Sequence, residues 1–185
     1  MQTLWFLVKT VGGLLATACL LRAYMNWLGI VGRDPIGQFV IAVSDWIVRP
    51  LRRLVPARRG IDWASLLAAF VFAFGLGVIM MLMFGGGRTL PIGAVAIFAV
   101  VSLLEWALYL VMGMVLLQAI LSWVNPHAPI APTLQMLTHP FMAPVRRLIP
   151  LVGGIDLSPL VVIIAVQVLL SLVQQTVPSL IALAS

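Results

Sequence analysis

The side chains of this chain that could carry chemistry are few, and they recur in a fixed order. Pro50, Arg52, Arg53, Leu54, Pro56, Gly60, Ile61 and Asp62 reappear as Pro144, Arg146, Arg147, Leu148, Pro150, Gly154, Ile155 and Asp156. The offset is 94 residues, and eight of thirteen positions are identical. Identity at this density reads as an internal duplication. The chemistry these types support is binding. Arg52, Arg53, Arg146 and Arg147 are a candidate anion or lipid site. A plainer reading has them hold the topology and meet anionic headgroups at about 1 kcal/mol each. Retention of the Arg-Arg spacing in both copies distinguishes the first reading, because generic attraction needs no fixed spacing.

Asp62 and Asp156 each lead straight into an apolar segment. A carboxylate there caps the helix, accepting from free N–H groups and complementing the dipole. A buried pair with Arg53 or Arg147 is the alternative, and the two roles are compatible. Gly60 and Gly154 precede the aspartates, where a tight reversal favours positive φ. Prolines at both ends of each basic segment are expected to limit it to one or two helical turns.

The remaining polar groups lie inside apolar segments: Lys9, Arg22 and Glu105, and Gln167, Ser171 and Gln174 at i, i+4, i+7. Such residues bond between helices or line a wet pathway. Catalysis finds little support. His127 and His139 are twelve apart with no Cys or second carboxylate nearby, so no metal site is assigned. Gly85-Gly86-Gly87 lacks the Lys and Ser/Thr of a phosphate loop. No nucleophile triad, paired carboxylates or haem motif is present in the sequence, and no cofactor is expected.

The elements that must position these groups are set by composition. The chain has 185 residues, 63% hydrophobic and 9% charged, with mean hydropathy +1.16. A soluble domain carries about 25% charge, so this is an integral membrane protein. Disordered chains, disulfide scaffolds and soluble two-domain enzymes are excluded. The net charge of +6 comes from basic residues grouped in loops, which fits a cytoplasmic bias better than nucleic acid. Cys19 is the single cysteine, so no intrachain disulfide exists. Residues 4–30 are too long for a signal h-region, which argues for an uncleaved span.

Four apolar segments stand out: 4–30, 61–84, 90–124 and 155–177. The third is too long for one upright span, and its first ten or so residues are expected to lie in the interface or form a separate short helix. Between the first two, Ile36, Phe39, Val40, Val43 and Ile47 recur at helical spacing, with Gln38, Asp45, Arg49 and Arg52 opposite. That predicts an amphipathic helix over 36–49. Leu134, Leu137, Phe141, Val145 and Leu148 repeat the pattern, with Pro140 and Pro144 expected to break or kink it, leaving helices near 133–138 or 141–147. Small residues at Gly12, Ala16, Ala69, Ala73 and Gly77 favour close helix packing.

Upstream of the motif the offset becomes 96, aligning Trp27 with Trp123 and Leu21 with Leu117. The expected fold is therefore all-α and polytopic: four transmembrane helices as two parallel helix–amphipathic connector–helix repeats. The repeats occupy 1–84 and 102–185, with a linker or interfacial segment at 85–101. The doubled Pro-x-Arg-Arg-x-x-Pro-x3-Gly-x-Asp motif, completed in the second copy by Leu157-Ser158-Pro159, resembles the YggT family (YlmG-related). The first copy departs from it with Trp63-Ala64-Ser65. The resemblance implies a small bacterial inner-membrane protein with chloroplast relatives. It also implies links to envelope and cell-division contexts, osmotic stress and plastid cytochrome assembly, without an established molecular activity.

The function expected is a non-enzymatic scaffold or assembly factor. It would bind anionic lipid and a partner membrane protein or a second copy of itself, with no nucleic acid. The alternative is a small transporter or channel component tied to osmotic stress. The 96-residue offset also pairs Lys9 with Glu105, each eighteen residues from its aligned tryptophan, or about 27 Å along a helix. If their helices are neighbours, they are expected to form a salt bridge. Residues 31–60 hold six arginines and 125–154 hold two, whereas 85–90 hold only Arg88. The positive-inside rule then places both arginine-rich loops in the cytoplasm and both termini in the periplasm. An alkaline phosphatase fused after Ser185 is expected to be active, and a cytoplasmic reporter active at that position would reverse the topology.

Overall fold

The computed structural model describes residues 2–32, 34–56, 60–84, 92–148 and 156–184, with 84 and 177–184 described by backbone alone. Arg33, Arg58, Arg59, Arg88, the Gly85-Gly86-Gly87 turn, Pro150 and Gly154 lie outside the described residues. Among the described residues six helices follow in order: α1 Gln2–Trp27, α2 Pro35–Leu54, α3 Trp63–Phe84, α4 Ile92–Val124, α5 Ala131–Leu148 and α6 Ser158–Ala184. No strand occurs among the described residues. Among the described residues, four stretches are long and apolar enough to cross a membrane: Gln2–Trp27, Trp63–Met83, Ile92–Val124 and Ser158–Thr176. α2 and α5 are not among them.

Local chemistry sets the helix ends. α1 stops where Gly29 takes φ 71°, Ile30 N–H donates to the Met25 carbonyl, and Gly29 N–H donates to Asn26. These two bonds satisfy the last carbonyls of the helix in a Schellman arrangement. Ile30 and Met25 also pack in one apolar cluster, the contact that accompanies this motif. α2 opens on Asp34, whose carboxylate accepts from Gly37 N–H at 2.9 Å, with Pro35 supplying a first-turn residue that has no N–H to lose. Gly60 has φ 81°, so the reversal before Asp62 uses the left-handed backbone that glycine permits.

Three expectations need correction. Pro50 does not end α2, nor do Pro140 and Pro144 end α5, and each connector is a single helix. Trp46 and Met136, whose carbonyls lose the Pro50 and Pro140 donors, lie on exposed faces at 62% and 52%. A freed carbonyl there can find other partners, and packing on the far side of the helix offsets the proline cost of about 3 kcal/mol. α4 is likewise one helix of 33 residues, about 50 Å long. Its first turns bury Val95 and Ala99, which keeps them helical. The polar face expected on α2 is only partly solvent-facing: Gln38, Arg49 and Arg52 are exposed, but Asp45 is half-buried between Arg22 and Arg49, and Arg52 also reaches Asp62.

α1 packs on α3 and α4 packs on α6, with α3 against α4 between them. α2 leans on α1 and α3 through Val48, which clusters with Cys19, Ala64 and Ala68. α5 reaches across to α1: Leu134 and Leu137 cluster with Met25 and Met114, and the Tyr24 hydroxyl donates to the Leu137 carbonyl at 2.6 Å. Small residues allow these approaches, since Ala16, Ala69 and Ala73 are fully buried. A Cβ on Gly12 would lie 3.0 Å from Leu76, and one on Gly77 would lie 2.9 Å from Phe98 and 3.1 Å from Val95. Gly77→Leu is therefore expected to part α3 from α4 and cost about 1–3 kcal/mol. The check is a lowered Tm in detergent, with Gly75→Ala, where a Cβ meets nothing within 4 Å, as the neutral control.

Candidate functional site

Asp62 is fully enclosed where α1, α2 and α3 meet. Its carboxylate accepts from Arg52 Nη2 at 2.5 Å, Asn26 Nδ2 at 3.0 Å and Ser65 Oγ at 2.9 Å. The Ser65 backbone N–H donates to the other oxygen at 3.3 Å, so Asp62 also caps α3. Burial pushes this carboxyl up, but the bonds from Arg52 and Ser65 outweigh it and hold it below the usual carboxylate range.

The second half repeats the pair more openly. Arg146 donates through Nε and Nη2 to one Asp156 oxygen, each at 2.9 Å, and the side chains are 48% and 31% exposed. The other oxygen accepts from Ser158 N–H at 2.9 Å at the start of α6. Here too partial burial raises the carboxyl, while Ser158 and Arg146 outweigh it and lower it. Capping and ion pairing thus coexist in both halves, but the partners are Arg52 and Arg146 rather than Arg53 and Arg147. One residue is a turn of about 100° on a helix. Arg53 and Arg147 are exposed and form no ion pair among the described residues.

A second polar tier lies deeper in each half. Arg22 is 3% exposed and donates to Ser44 Oγ at 2.9 Å and Asp45 Oδ1 at 3.0 Å, while Arg49 holds the other Asp45 oxygen at 3.1 Å. The Ser44 hydroxyl itself donates to the Val40 carbonyl at 2.6 Å. The sequence offsets carry Arg22 to Gln118, Ser44 to Thr138 and Asp45 to His139. The Thr138 hydroxyl donates to the Leu134 carbonyl at 2.7 Å and is hydrogen-bonded to the Gln118 carboxamide. The geometry of the tier is kept and its charge is gone. A chamber of about 280 Å³ opens beside it, lined by Gln118, Ser122, Gln135, His139 and Arg146. An adjoining groove of about 360 Å³ shares Gln118, Ser122 and Arg146 and continues over Ile120, Trp123 and Ile163.

The other polar residues named from sequence do not converge. Lys9 is exposed and Glu105 half-buried, and they form no salt bridge. Trp106, not Glu105, faces α1, lying 3.6 Å from a Cβ built on Gly13. Equal depth along two helices did not set equal rotation toward each other. Gln167, Ser171 and Gln174 are all exposed on α6. Gln174 Nε2 reaches the Tyr109 hydroxyl at 3.5 Å, and Ser171 Oγ accepts from Gln175 at 3.0 Å. The cavity of about 430 Å³ between the halves is walled by apolar groups such as Leu20, Trp27, Leu110 and Phe141. No group of three metal-ligating side chains occurs among the described residues. Sequence reading missed Asp45 as the Arg22 partner, and Asn26, Ser65 and Tyr24 altogether. Applying the two offsets to Arg22 and Ser44 would have exposed the second tier.

Four apolar membrane-length helices, joined by helices that carry interlocking arginine–aspartate pairs, define a small polytopic membrane protein. The profile of the CCB3/YggT family matches residues 1–83 and 97–177, and the chain belongs to that family. It is 38% identical over 170 residues to the uncharacterized protein YggT of Escherichia coli strain K12, covering 91% of this chain and 88% of that one. It is 33% identical over 168 residues to an uncharacterized protein of Vibrio alginolyticus named for the proC 3′ region, covering 90% and 91%. Against the uncharacterized protein PA0392 of Pseudomonas aeruginosa it is 28% identical over 166 residues, covering 89% and 84%. No solved structure matches the chain significantly.

The two pairs differ in enclosure, and their mutants should differ accordingly. Asp62→Ala is expected to cost about 3 kcal/mol, because it strands Arg52 and Asn26. Asp156→Ala should cost about 1 kcal/mol, the scale of a cap and a solvated pair. Both carboxyls are lowered on folding, so their stabilisation is complete above the ordinary value of about 4 and drains as pH falls through the lower folded value. Tm followed from about pH 7 to about pH 3 should fall for the wild type, and Asp62→Asn should flatten that fall.

Proposed function

We propose that the protein is a non-enzymatic inner-membrane scaffold that binds anionic phospholipid in its second half, with its arginine-rich loops in the cytoplasm. The observation that carries this is the chamber and groove sharing Arg146, Gln118 and Ser122. An acidic headgroup fits the polar chamber, where Arg146 supplies a fixed cation and Gln135 and Gln118 supply amide donors. An acyl chain fits the groove over Ile120, Trp123 and Ile163. In the first half Arg22 and Asp45 occupy the corresponding place with their own ion pair. Exposed Phe39, Trp46 and Leu54 on α2, beside Arg49 and Arg53, suit an amphipathic helix at the headgroup level.

A transporter or channel finds less support. The space between the halves is apolar, and the polar stripe on α6 lies on an exposed face rather than along that space.

The reading is tested by native mass spectrometry of protein released from nanodiscs holding equal phosphatidylglycerol and phosphatidylcholine. The wild type is expected to retain phosphatidylglycerol selectively. Ser122→Trp, which fills the chamber while sparing the ion pair, should reduce that retention roughly fivefold, the weight of one basic contact of about 1 kcal/mol. Gly75→Ala in the first half, where an added Cβ meets nothing within 4 Å, should leave it unchanged. Equal retention of both lipids, or full selectivity in Ser122→Trp, would overturn the reading.

A further inference from the structure

Laid over the first half by the two offsets, the second half differs at the places that face its chamber and groove. It has Ser122 for Asn26, Gln118 for Arg22, Gln135 for Ile41, His139 for Asp45 and Pro159 for Ser65. All five of these second-half residues line the chamber or the groove. The apolar wall is kept, since Leu20, Ala23, Trp27 and Leu66 correspond to Leu116, Ala119, Trp123 and Leu160. In the first half α4 and Phe141 close over that wall. In the second half Ile120, Trp123 and Leu160 stay exposed along it. A slot for an apolar chain is thus common to both halves, and the polar end is what differs.

The difference falls on the carboxylate. Asp62 accepts from Arg52, from the Asn26 amide and from both the hydroxyl and the N–H of Ser65. Asp156 accepts only from Arg146 and the Ser158 N–H, and it lines the groove at 31% exposure. Pro159 has no hydroxyl, and Ser122 is too short to stand in for an asparagine amide. An ionised carboxylate has about four acceptor sites, so Asp156 keeps capacity at the rim of the groove. Gln118 and Gln135 each carry a carbonyl beside their amide donors. The site therefore offers acceptors as well as donors, around a guanidinium that it shares with Asp156. A bare phosphate would use the donors alone. An ammonium headgroup would use the acceptors but bring a like charge beside Arg146. Neutral hydroxyls next to a phosphate use both. We infer that the headgroup taken here is a polyol phosphodiester, of which phosphatidylglycerol is the simplest. Its phosphate lies by Arg146, and its hydroxyls donate to Asp156 and to the carboxamide oxygens. This assignment rests on the lipid-binding reading of the same site and narrows the class of lipid bound.

The test is native mass spectrometry of the full chain released from nanodiscs holding equal phosphatidylglycerol, phosphatidylethanol, phosphatidylethanolamine and phosphatidylcholine. Phosphatidylethanol is also a monoanionic diester, but its headgroup ends in a methyl group and carries no hydroxyl. The wild type is expected to retain phosphatidylglycerol about tenfold over phosphatidylethanol, the weight of a hydrogen bond to a charged acceptor. Ser122→Asn and Gln135→Ile install the residues that the first half has at those places. Each should weaken that preference several-fold while both anionic lipids stay ahead of phosphatidylcholine. Excess soluble glycerol phosphate should leave the bound lipid in place, because it lacks the chain that the groove holds. Equal retention of phosphatidylglycerol and phosphatidylethanol, both above phosphatidylcholine, would overturn the hydroxyl readout and leave the anionic reading standing. No anionic lipid above phosphatidylcholine would overturn both. Phosphatidylethanolamine above phosphatidylglycerol would give the acceptors to an ammonium instead. A preference untouched by either substitution would move it away from the chamber, and displacement by glycerol phosphate would overturn the assignment to a lipid.

Discussion

A carboxylate with no exposed surface at the edge of a membrane-spanning helix must be surrounded by donors, and Asp62 organises the first half of the protein around that requirement. Arg52 comes to it from α2, Asn26 from α1 and Ser65 from the first turn of α3. Three helices are thereby held at one point, and each contributes something the others lack. Without Arg52 the charge would be stranded, and without Asp62 the α3 cap and the Asn26 amide would lose their partner. Gly60 is what lets the chain turn into this position, since its φ of 81° is closed to most side chains. The Cys19, Val48 and Ala64 cluster beside it is the packing that this junction makes possible.

Comparison of the halves separates what the architecture needs from what each half does with it. Both keep an arginine–aspartate pair, a hydroxyl in the middle of the connector helix and a polar partner for that hydroxyl on the preceding span. The first half fills this frame with charge, through Arg22, Asp45 and Arg49. The second half substitutes Gln118 and His139 and leaves an open polar chamber with an apolar extension. A frame that needs no occupant in one half and holds space in the other is the reason the binding proposal falls on the second half alone.

The membrane setting also explains why breaking rules for soluble helices failed here. Pro50, Pro140 and Pro144 were expected to end their helices, because in an isolated segment the lost hydrogen bond is not recovered. In the fold, Val48, Leu137 and Met142 are buried on the opposite sides of the same helices and hold them helical through the prolines. α4 runs unbroken through a length that seemed too great for one span because its first turns rest on α3 at Gly77. In each case burial of a few side chains outweighs a local preference of a few kcal/mol.

Composition and hydrophobic runs alone determined that the protein is helical and membrane-embedded, because apolar runs of twenty or more residues in hydrocarbon satisfy their backbone within themselves as helices. The doubled motif made the arginines, the aspartates and their spacing legible, and it located both caps. What spacing could not resolve was rotation. Which of two adjacent arginines meets the aspartate, and whether Lys9 turns toward Glu105 or Trp106 takes that face, depends on angles of about 100° per residue set by packing. Asp45 looked like a solvent-facing charge because its partner lies on another helix, 23 residues away. The chamber by His139 arises only when α5 packs back on α4 within the second half, where Gln118 and His139 stand at the places that Arg22 and Asp45 fill in the first.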